Sequence, residues 1–160
     1  YISSLNAIKI SARGYHFFIP KQYMGYIEEF EDFMEELSGM NLYAPTNKAT
    51  RKEISINSMY VADDEKQRKK MATEFYLYMQ KQIQDYQDKI EKLIKAGSQS
   101  NAILTRWLNR VSTLEDKKYD YEVILKQRLN DMDSEFECLR TLCDEYKLRV
   151  RAKGGYNIAA

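Results

Sequence analysis

The chain contains the segment Lys95-Ala96-Gly97-Ser98-Gln99-Ser100-Asn101-Ala102, eight residues without a large apolar side chain. On both sides of this segment, apolar residues recur at alternating steps of four and three, which is the heptad pattern of a coiled coil. Glycine costs about 1 kcal/mol inside a helix, and serine and asparagine favour caps and turns. We therefore predict that one long helix ends near residue 97 and that a second begins near residue 101.

Two helices joined by so short a loop run antiparallel, so the sequence predicts a long coiled-coil hairpin. The first arm is predicted over residues 64–96, with Asp63 or Asp64 as its N-cap. Its apolar repeat is Ala72, Tyr76, Met79, Ile83, Tyr86, Ile90 and Leu93. The second arm is predicted as a single helix over residues 101–151, whose apolar register shifts near Leu129.

The predicted arms differ in length. At about 1.5 Å per residue, the first arm covers the second only to about residue 133. Beyond that point, Phe136, Leu139, Leu142 and Tyr146 form an apolar seam that is too large to remain in water. We expect the amphipathic helix 21–37, from the same or a second subunit, to bury this seam.

The first 62 residues have a different pattern. Ala7–Ser11 alternates apolar and polar residues, Arg13-Gly14 suggests a turn, and Tyr15–Ile19 is aromatic, which together predict a small β-hairpin. Behind Pro20, an apolar stripe predicts an amphipathic helix over residues 21–37. Residues 40–62 show no clean period and are predicted as an irregular arm. The predicted fold is mostly α, with an N-terminal region 1–62 and a helical hairpin 63–160.

Composition argues against catalysis and against a membrane span. The chain has one histidine, His16, and no Gly-rich phosphate loop or serine elbow, so we expect neither an enzyme nor a cofactor. Zinc needs four ligands, and His16, Cys138 and Cys143 supply at most three, so we expect no metal site. The two cysteines are expected to be reduced thiols in a cytoplasmic protein. No apolar run reaches about 18 residues.

Partner-binding positions are predicted from the helix seams. An aromatic or aliphatic side chain on an apolar stripe is the usual anchor of a helix–helix interface. Trp107, at a seam position near the hairpin tip, is interpreted either as a core anchor or as an exposed hot spot. The predicted partner-binding residues are Phe30, Phe33, Trp107, Phe136, Leu139 and Tyr146.

Charge is segregated although the net charge is only +1. Six acidic residues fall between Glu28 and Glu36, whereas basic residues cluster elsewhere. Basic clusters can contact phosphate, and in an antiparallel hairpin the start of the first arm and the end of the second lie at the same end. The nucleic-acid candidates are therefore Arg68, Lys69, Lys70, Arg149 and Arg151. We do not favour this role, because a dedicated binder has a pI above about 9 and one basic face.

One local motif resembles a known group of proteins. The segment Gly14-Tyr15-His16-Phe17-Phe18-Ile19-Pro20, ahead of an acidic helix and a charged helical hairpin, resembles uncharacterised bacteriophage and mobile-element proteins. Those proteins carry a Gly-aromatic-x-aromatic-x-Pro strand before a long coiled coil. The resemblance implies a viral or mobile-element origin and transfers no catalytic residue.

We therefore expect a non-catalytic scaffold or protein-interaction protein that acts through coiled-coil surface as a homo-oligomer. Two alternatives remain: a nucleic-acid-binding accessory factor of replication or recombination, and an inhibitor that wraps a host enzyme with the 40–62 arm.

Overall fold

The structure is a computed structural model that describes residues 1–10, 15–40 and 56–154. Contacts within the chain group into two compact units, Tyr1–Asp63 and Asp64–Ala160. The boundary expected between residues 62 and 63 lies within one residue of this division. We call them unit 1 and unit 2 and describe each by itself.

Unit 1 combines a short β-hairpin with one helix, as predicted. After a 3-10 turn at Ile2–Leu5, strand β1 (Ile8–Lys9) pairs antiparallel with strand β2 (Phe17–Phe18), so that Ile8 faces Phe18. The predicted turn at Arg13-Gly14 lies outside the described residues. A second 3-10 turn, Lys21–Tyr23, leads into helix α1 (Met24–Gly39). The buried apolar side chains of the unit include Leu5, Ala7, Ile8 and Ile27.

The irregular arm is described only in part. The alternation of Ile54 and Ile56 with polar residues could form a short strand, but residues 41–55 lie outside the described residues. Residues 56–63 carry no helix or strand. Tyr60 reaches back to α1, where its hydroxyl donates a hydrogen bond to Glu28 at 3.5 Å.

Unit 2 begins with the predicted helical hairpin. Helix α2 (Glu65–Lys95) is capped by Asp64, whose carboxylate accepts the Gln67 N–H at 2.8 Å. Helix α3 (Asn101–Leu125) is capped by the Ser100 hydroxyl. Gly97 between them has a φ of 65°, a left-handed conformation that glycine adopts without steric cost. The bend at residues 97–101 is therefore confirmed.

Ring contacts show that α2 and α3 run antiparallel. Near the end distant from the loop, Phe75 stacks on Tyr121 with ring centroids 4.1 Å apart. Closer to the loop, the edge of Tyr86 meets Trp107 with a centroid distance of 5.3 Å. The residue number falls along one helix as it rises along the other, which fixes the antiparallel order.

The second arm is not one helix, and this part of the prediction is wrong. Helix α3 ends at Leu125, Lys126 adopts a left-handed φ of 54°, and helix α4 (Asp133–Gly154) follows a 3-10 turn at Asn130–Met132. Helix α4 runs antiparallel to α3 and parallel to α2. Unit 2 is thus a three-helix bundle in which the third helix folds back over the hairpin.

Polar contacts along α4 establish that direction. At its start, Asp133 accepts a hydrogen bond from Lys118 of α3 at 2.7 Å, and Glu135 accepts one from Tyr76 of α2 at 3.2 Å. Towards its end, the Tyr146 hydroxyl lies 3.0 Å from the Ser98 hydroxyl in the α2–α3 loop.

The seam expected to need helix 21–37 is buried inside unit 2. Phe136, Leu139 and Tyr146 are at most 2% exposed, because α4 packs its apolar face against α2 and α3. The prediction was wrong because it treated residues 101–151 as one helix longer than the first arm. These residues instead fold into α3 and α4, which share one core with α2.

The core of α3 follows the predicted repeat, and that of α2 departs from it. The heptad pattern after the loop predicts seven seam positions on α3, and all are buried: Leu104, Trp107, Val111, Leu114, Lys118, Tyr121 and Leu125. On α2, Phe75 and Ile94 are buried in place of the predicted Tyr76 and Leu93, which are half-buried. Helix α2 packs against two neighbours, so its buried face is wider than a two-helix seam.

Candidate functional site

Helix α1 carries an apolar stripe that is half open to solvent. Tyr26, Phe33 and Met40 follow one another at seven-residue intervals and are 54%, 52% and 60% exposed. Residues seven apart lie on the same side of a helix. The N-terminal segment covers the neighbouring side, where the Tyr1 ring packs against Phe30 at 5.0 Å and the Tyr1 hydroxyl donates to the Tyr26 carbonyl at 3.0 Å. The exposed stripe is a surface that could accept another apolar helix.

All the charged residues of α1 that border the stripe are carboxylates. Between Met24 and Gly39, helix α1 has six acidic residues and no lysine or arginine. Glu29 and Glu36 lie one turn from Tyr26 and Phe33, respectively, and are exposed. The described face of α1 is therefore apolar along its centre and anionic along its edge.

A second surface runs along the groove between α2 and α3. On the α3 side, the guanidinium of Arg110 lies over the Trp107 ring, 4.8 Å from its centroid, and Arg106 lies one turn earlier. On the α2 side, the Tyr78 hydroxyl accepts a hydrogen bond from Lys117 of α3 at 3.3 Å. We call this surface the α2–α3 groove and define it by the side chains of Tyr78, Tyr86, Arg106, Arg110 and Lys117.

Burial changes the ionisation of several groups in the α2–α3 groove. It lowers the pKa of Lys117 to about 8 and raises the pKa of Tyr78. Burial also raises the pKa of Tyr86, against the opposing effect of the nearby Arg110. Both phenols therefore remain hydrogen-bond donors at neutral pH.

Most of the predicted partner-binding residues belong to the core. Trp107 is 6% exposed and Phe136, Leu139 and Tyr146 are less exposed still, so these four side chains stabilise unit 2 and are not available to a partner. Phe30 is half-buried against Tyr1. Of the six, only Phe33 is exposed. Tyr26 and Met40 were not singled out, although their seven-residue spacing around Phe33 is visible in the sequence.

The predicted nucleic-acid residues are not brought together. Arg68, Lys69 and Lys70 lie at the start of α2, whereas Arg149 and Arg151 lie near the end of α4. Because α4 runs parallel to α2, these clusters occupy opposite ends of the bundle. Lys69 pairs with Glu65 at 2.7 Å, and Arg149 pairs with Glu145 at 2.7 Å. The convergence expected from an unbroken second arm does not occur.

A surface cavity of about 400 Å³ lies between α3 and α4. Its two cations already have anionic partners, Lys118 with Glu122 and Asp133, and Arg140 with Glu115 at 2.6 Å. The cavity therefore offers no unsatisfied positive charge to a ligand. It is lined by Glu115, Lys118, Tyr119, Asp133, Phe136, Glu137 and Arg140.

Three findings bear on catalysis, metals and membranes. Within the described residues, no three histidine, cysteine, aspartate or glutamate side chains are grouped so that they could hold a metal ion. Cys138 is exposed and Cys143 is buried, both are free thiols, and burial raises the pKa of Cys143 to about 11. None of the helices in the described ranges is both long and apolar enough to span a bilayer.

These features define a small α-helical protein with a β-hairpin–helix unit, a three-helix bundle and two charged surfaces of opposite sign. The chain belongs to a family of unknown function (DUF6744), which matches residues 1–154 and so includes both units. No curated protein and no solved structure shows significant similarity to the chain.

Proposed function

We propose that the protein is a non-catalytic interaction protein and that the exposed face of α1 binds a basic amphipathic helix of a partner protein. The observation that carries this proposal is the half-exposed stripe of Tyr26, Phe33 and Met40. An apolar helix face with regular spacing is the surface that helix-in-groove recognition uses. Large aromatic side chains are also the usual anchors of such interfaces.

Charge supports a basic partner and argues against self-association through α1. Two copies of α1 packed face to face would bring carboxylates such as Glu29 and Glu36 close together, which is unfavourable in a partly desolvated interface. Lysine or arginine flanking the apolar face of a partner helix would instead neutralise them. This charge match makes another protein the better occupant than a second copy of the chain.

The reason for expecting a homo-oligomer was the uncovered seam after residue 133. That seam is covered by α2 and α3, so the proposal no longer requires a second subunit. The viral or mobile-element origin and the cytoplasmic location remain expectations from the sequence. The third reading, an inhibitor that wraps a host enzyme, depends on an arm that lies largely outside the described residues.

An amphipathic helical peptide built from leucine and lysine tests the proposal. We expect wild-type protein to bind it, and Tyr26→Ser/Phe33→Ser to weaken binding roughly tenfold, because two anchor side chains are lost. Binding is measured by calorimetry, with circular dichroism as the check on folding. Glu29→Gln/Glu36→Gln should reduce both the affinity and its dependence on salt.

Two controls make this test specific. A peptide with the same residues in scrambled order keeps the charge and loses the apolar face, and should bind weakly. Val123→Ser/Leu148→Ser removes two exposed apolar side chains from unit 2 and should leave binding unchanged. Equal binding by wild type and Tyr26→Ser/Phe33→Ser would refute the proposed role of α1.

A further inference from the structure

We propose that the α2–α3 groove binds the phosphate backbone of single-stranded nucleic acid. This surface is separate from the α1 face and does not depend on the partner proposed for it. It also differs from the basic clusters that the sequence suggested, since neither Arg106 nor Arg110 was among them.

The groove is lined by hydrogen-bond donors. Arg106, Arg110 and Lys117 are cationic donors, and the hydroxyls of Tyr78 and Tyr86 are neutral ones. Asp85 of α2 acts to raise the pKa of Tyr86, and its carboxylate pairs with Lys89 at 3.5 Å. A ligand that matches this lining presents acceptor oxygens and negative charge, which describes a phosphodiester.

The two arginines of the groove differ from other arginines of unit 2. Arg128, Arg140 and Arg149 each form an ion pair with a glutamate at 3.1 Å or less. Within the described residues, Arg106 and Arg110 form no ion pair with a carboxylate, and both are exposed. The reason is visible in the sequence, because α3 has no acidic residue before Glu115. Their charge is available to an external anion.

Trp107 gives the guanidinium of Arg110 a defined position. The indole is 6% exposed and held in place by the edge contact with Tyr86. A cation over the face of a tryptophan is attracted by its quadrupole, which limits the conformations of the arginine. A positioned guanidinium loses less entropy when it binds a phosphate than one that moves freely.

The cations form one row. Arg106, Arg110 and Lys117 span eleven residues of α3, or about 16 Å at ~1.5 Å per residue. A stacked strand carries one phosphate per ~3.4 Å along its axis, so about five phosphates could follow the row. A duplex presents two strands and would engage a single row with only one of them. An acidic peptide carries its carboxylates on flexible side chains, so the spacing of its anionic groups is less regular than that of the phosphates in a strand. A phosphate backbone therefore fits the row of cations better than an acidic peptide does.

The test uses the full chain, a fluorescent oligothymidine of about 12 nucleotides and anisotropy at about 50 mM salt. We expect micromolar binding by the wild type. The logarithm of the association constant should fall with the logarithm of the salt concentration with a slope near −2, because each of three phosphate contacts contributes about −0.7 to the slope. Arg106→Gln/Arg110→Gln should weaken binding roughly 50-fold and reduce the slope by about 1.4.

The matched control removes the same charge elsewhere. Lys66 and Lys70 are exposed at the start of α2, at the other end of the bundle. Lys66→Gln/Lys70→Gln should bind within twofold of the wild type. If both double variants lose affinity equally, binding reflects net charge rather than the groove, and the proposal is wrong.

The single tryptophan provides a second readout. A phosphate bound to the guanidinium that lies over the indole changes the charge next to the ring, and so should change Trp107 emission in the wild type and in the lysine control, but not in the arginine variant. No emission change on saturation with oligothymidine would place the ligand outside the groove. Equal affinity for a duplex, or tighter binding to polyglutamate, would overturn the single-strand assignment.

Discussion

Glu122 is the residue that shapes unit 2 most directly. Its carboxylate accepts the Leu129 N–H at 2.9 Å and pairs with Arg128 at 3.1 Å and with the buried Lys118 at 3.2 Å. Burial acts to raise the pKa of Glu122, but the Leu129 N–H, Lys118 and Arg128 together hold it below its usual value. The Glu122 carboxylate thus accepts a hydrogen bond from the backbone of the turn between α3 and α4. The same carboxylate also pairs with the buried Lys118 ammonium.

Glu122→Gln is expected to lower the free energy of unfolding at pH 7 by about 2 kcal/mol, because it removes charge from a buried network and leaves Lys118 with Asp133 alone. Urea denaturation measures the change. The control is Glu145→Gln, which removes an exposed ion pair with Arg149 and should cost under about 0.5 kcal/mol. Equal losses would show that burial adds nothing to the Glu122 network.

The same group predicts a dependence on acid. The folded-state pKa of Glu122 lies below the ordinary value of a glutamate carboxyl. The contribution of Glu122 to the free energy of unfolding is therefore present above that value, and it is lost as the pH falls through the folded-state pKa. The stability difference between wild type and Glu122→Gln should shrink when urea denaturation is repeated at acidic pH. A difference that stays constant down to about pH 3 would contradict this assignment.

Lys117 predicts a change in the same direction, a rise in stability with pH, but in the alkaline range. Burial lowers its pKa to about 8, so between that value and 10.5 the folded state binds fewer protons than the unfolded state. Stability from this group therefore rises with pH in that window. Relative to Lys117→Met, the wild type should gain stability between about pH 8 and pH 10, as measured by urea denaturation. A parallel pH profile of the two proteins would show that Lys117 titrates normally.

At the scale of elements, periodicity predicted the helices but not all of their ends. The loop at residues 97–101 was predictable because glycine, serine and asparagine occur together there. The break after Leu125 contains no glycine or proline, and its left-handed position is occupied by Lys126. It is stabilised by contacts of the Glu122 carboxylate with Arg128 and the Leu129 N–H, six and seven residues along the chain, which apolar periodicity does not reveal. The local signals of it were the register shift at Leu129 and the cap-favouring residues Asn130, Asp131, Asp133 and Ser134.

The candidate surfaces were predictable to different degrees. The acidic, apolar α1 helix follows from spacing and charge alone, and Phe33 was identified in this way. The α2–α3 groove requires knowing which faces of two helices meet, because Tyr78, Arg110 and Lys117 are far apart in sequence. The lack of an acidic residue between Asn101 and Leu114 was the available clue.

The α2–α3 loop gives a prediction at this scale. Gly97 has a φ of 65° and open space around its Cβ position, so Gly97→Ala should cost about 1 kcal/mol through backbone strain without a clash. Gly97→Asn should recover part of that loss, since asparagine tolerates the left-handed region. Thermal denaturation of the three proteins checks this order. Similar losses for alanine and asparagine would indicate that contacts rather than φ dominate.

At the scale of the molecule, a net charge of +1 conceals two differently charged units. Unit 1 has six lysines and arginines and eight acidic residues, whereas unit 2 has nineteen lysines and arginines and sixteen acidic residues. The family match extends over both. Taken together, our two proposals assign a basic protein to unit 1 and a nucleic-acid strand to unit 2, which would make the chain an accessory factor rather than a passive scaffold.

The two-unit division predicts that residues 64–154 fold without unit 1. Every helix of the bundle buries its apolar face against the other two, and Phe136, Leu139 and Tyr146 lie inside that core. We expect the fragment to be a helical monomer with one cooperative thermal transition, observed by circular dichroism and light scattering. Phe136→Ala should cost about 3–5 kcal/mol in the fragment, because it opens a cavity in a close-packed core. A fragment that dimerises, or that melts without cooperativity, would mean that the bundle needs a further apolar partner and would restore the case for an oligomer.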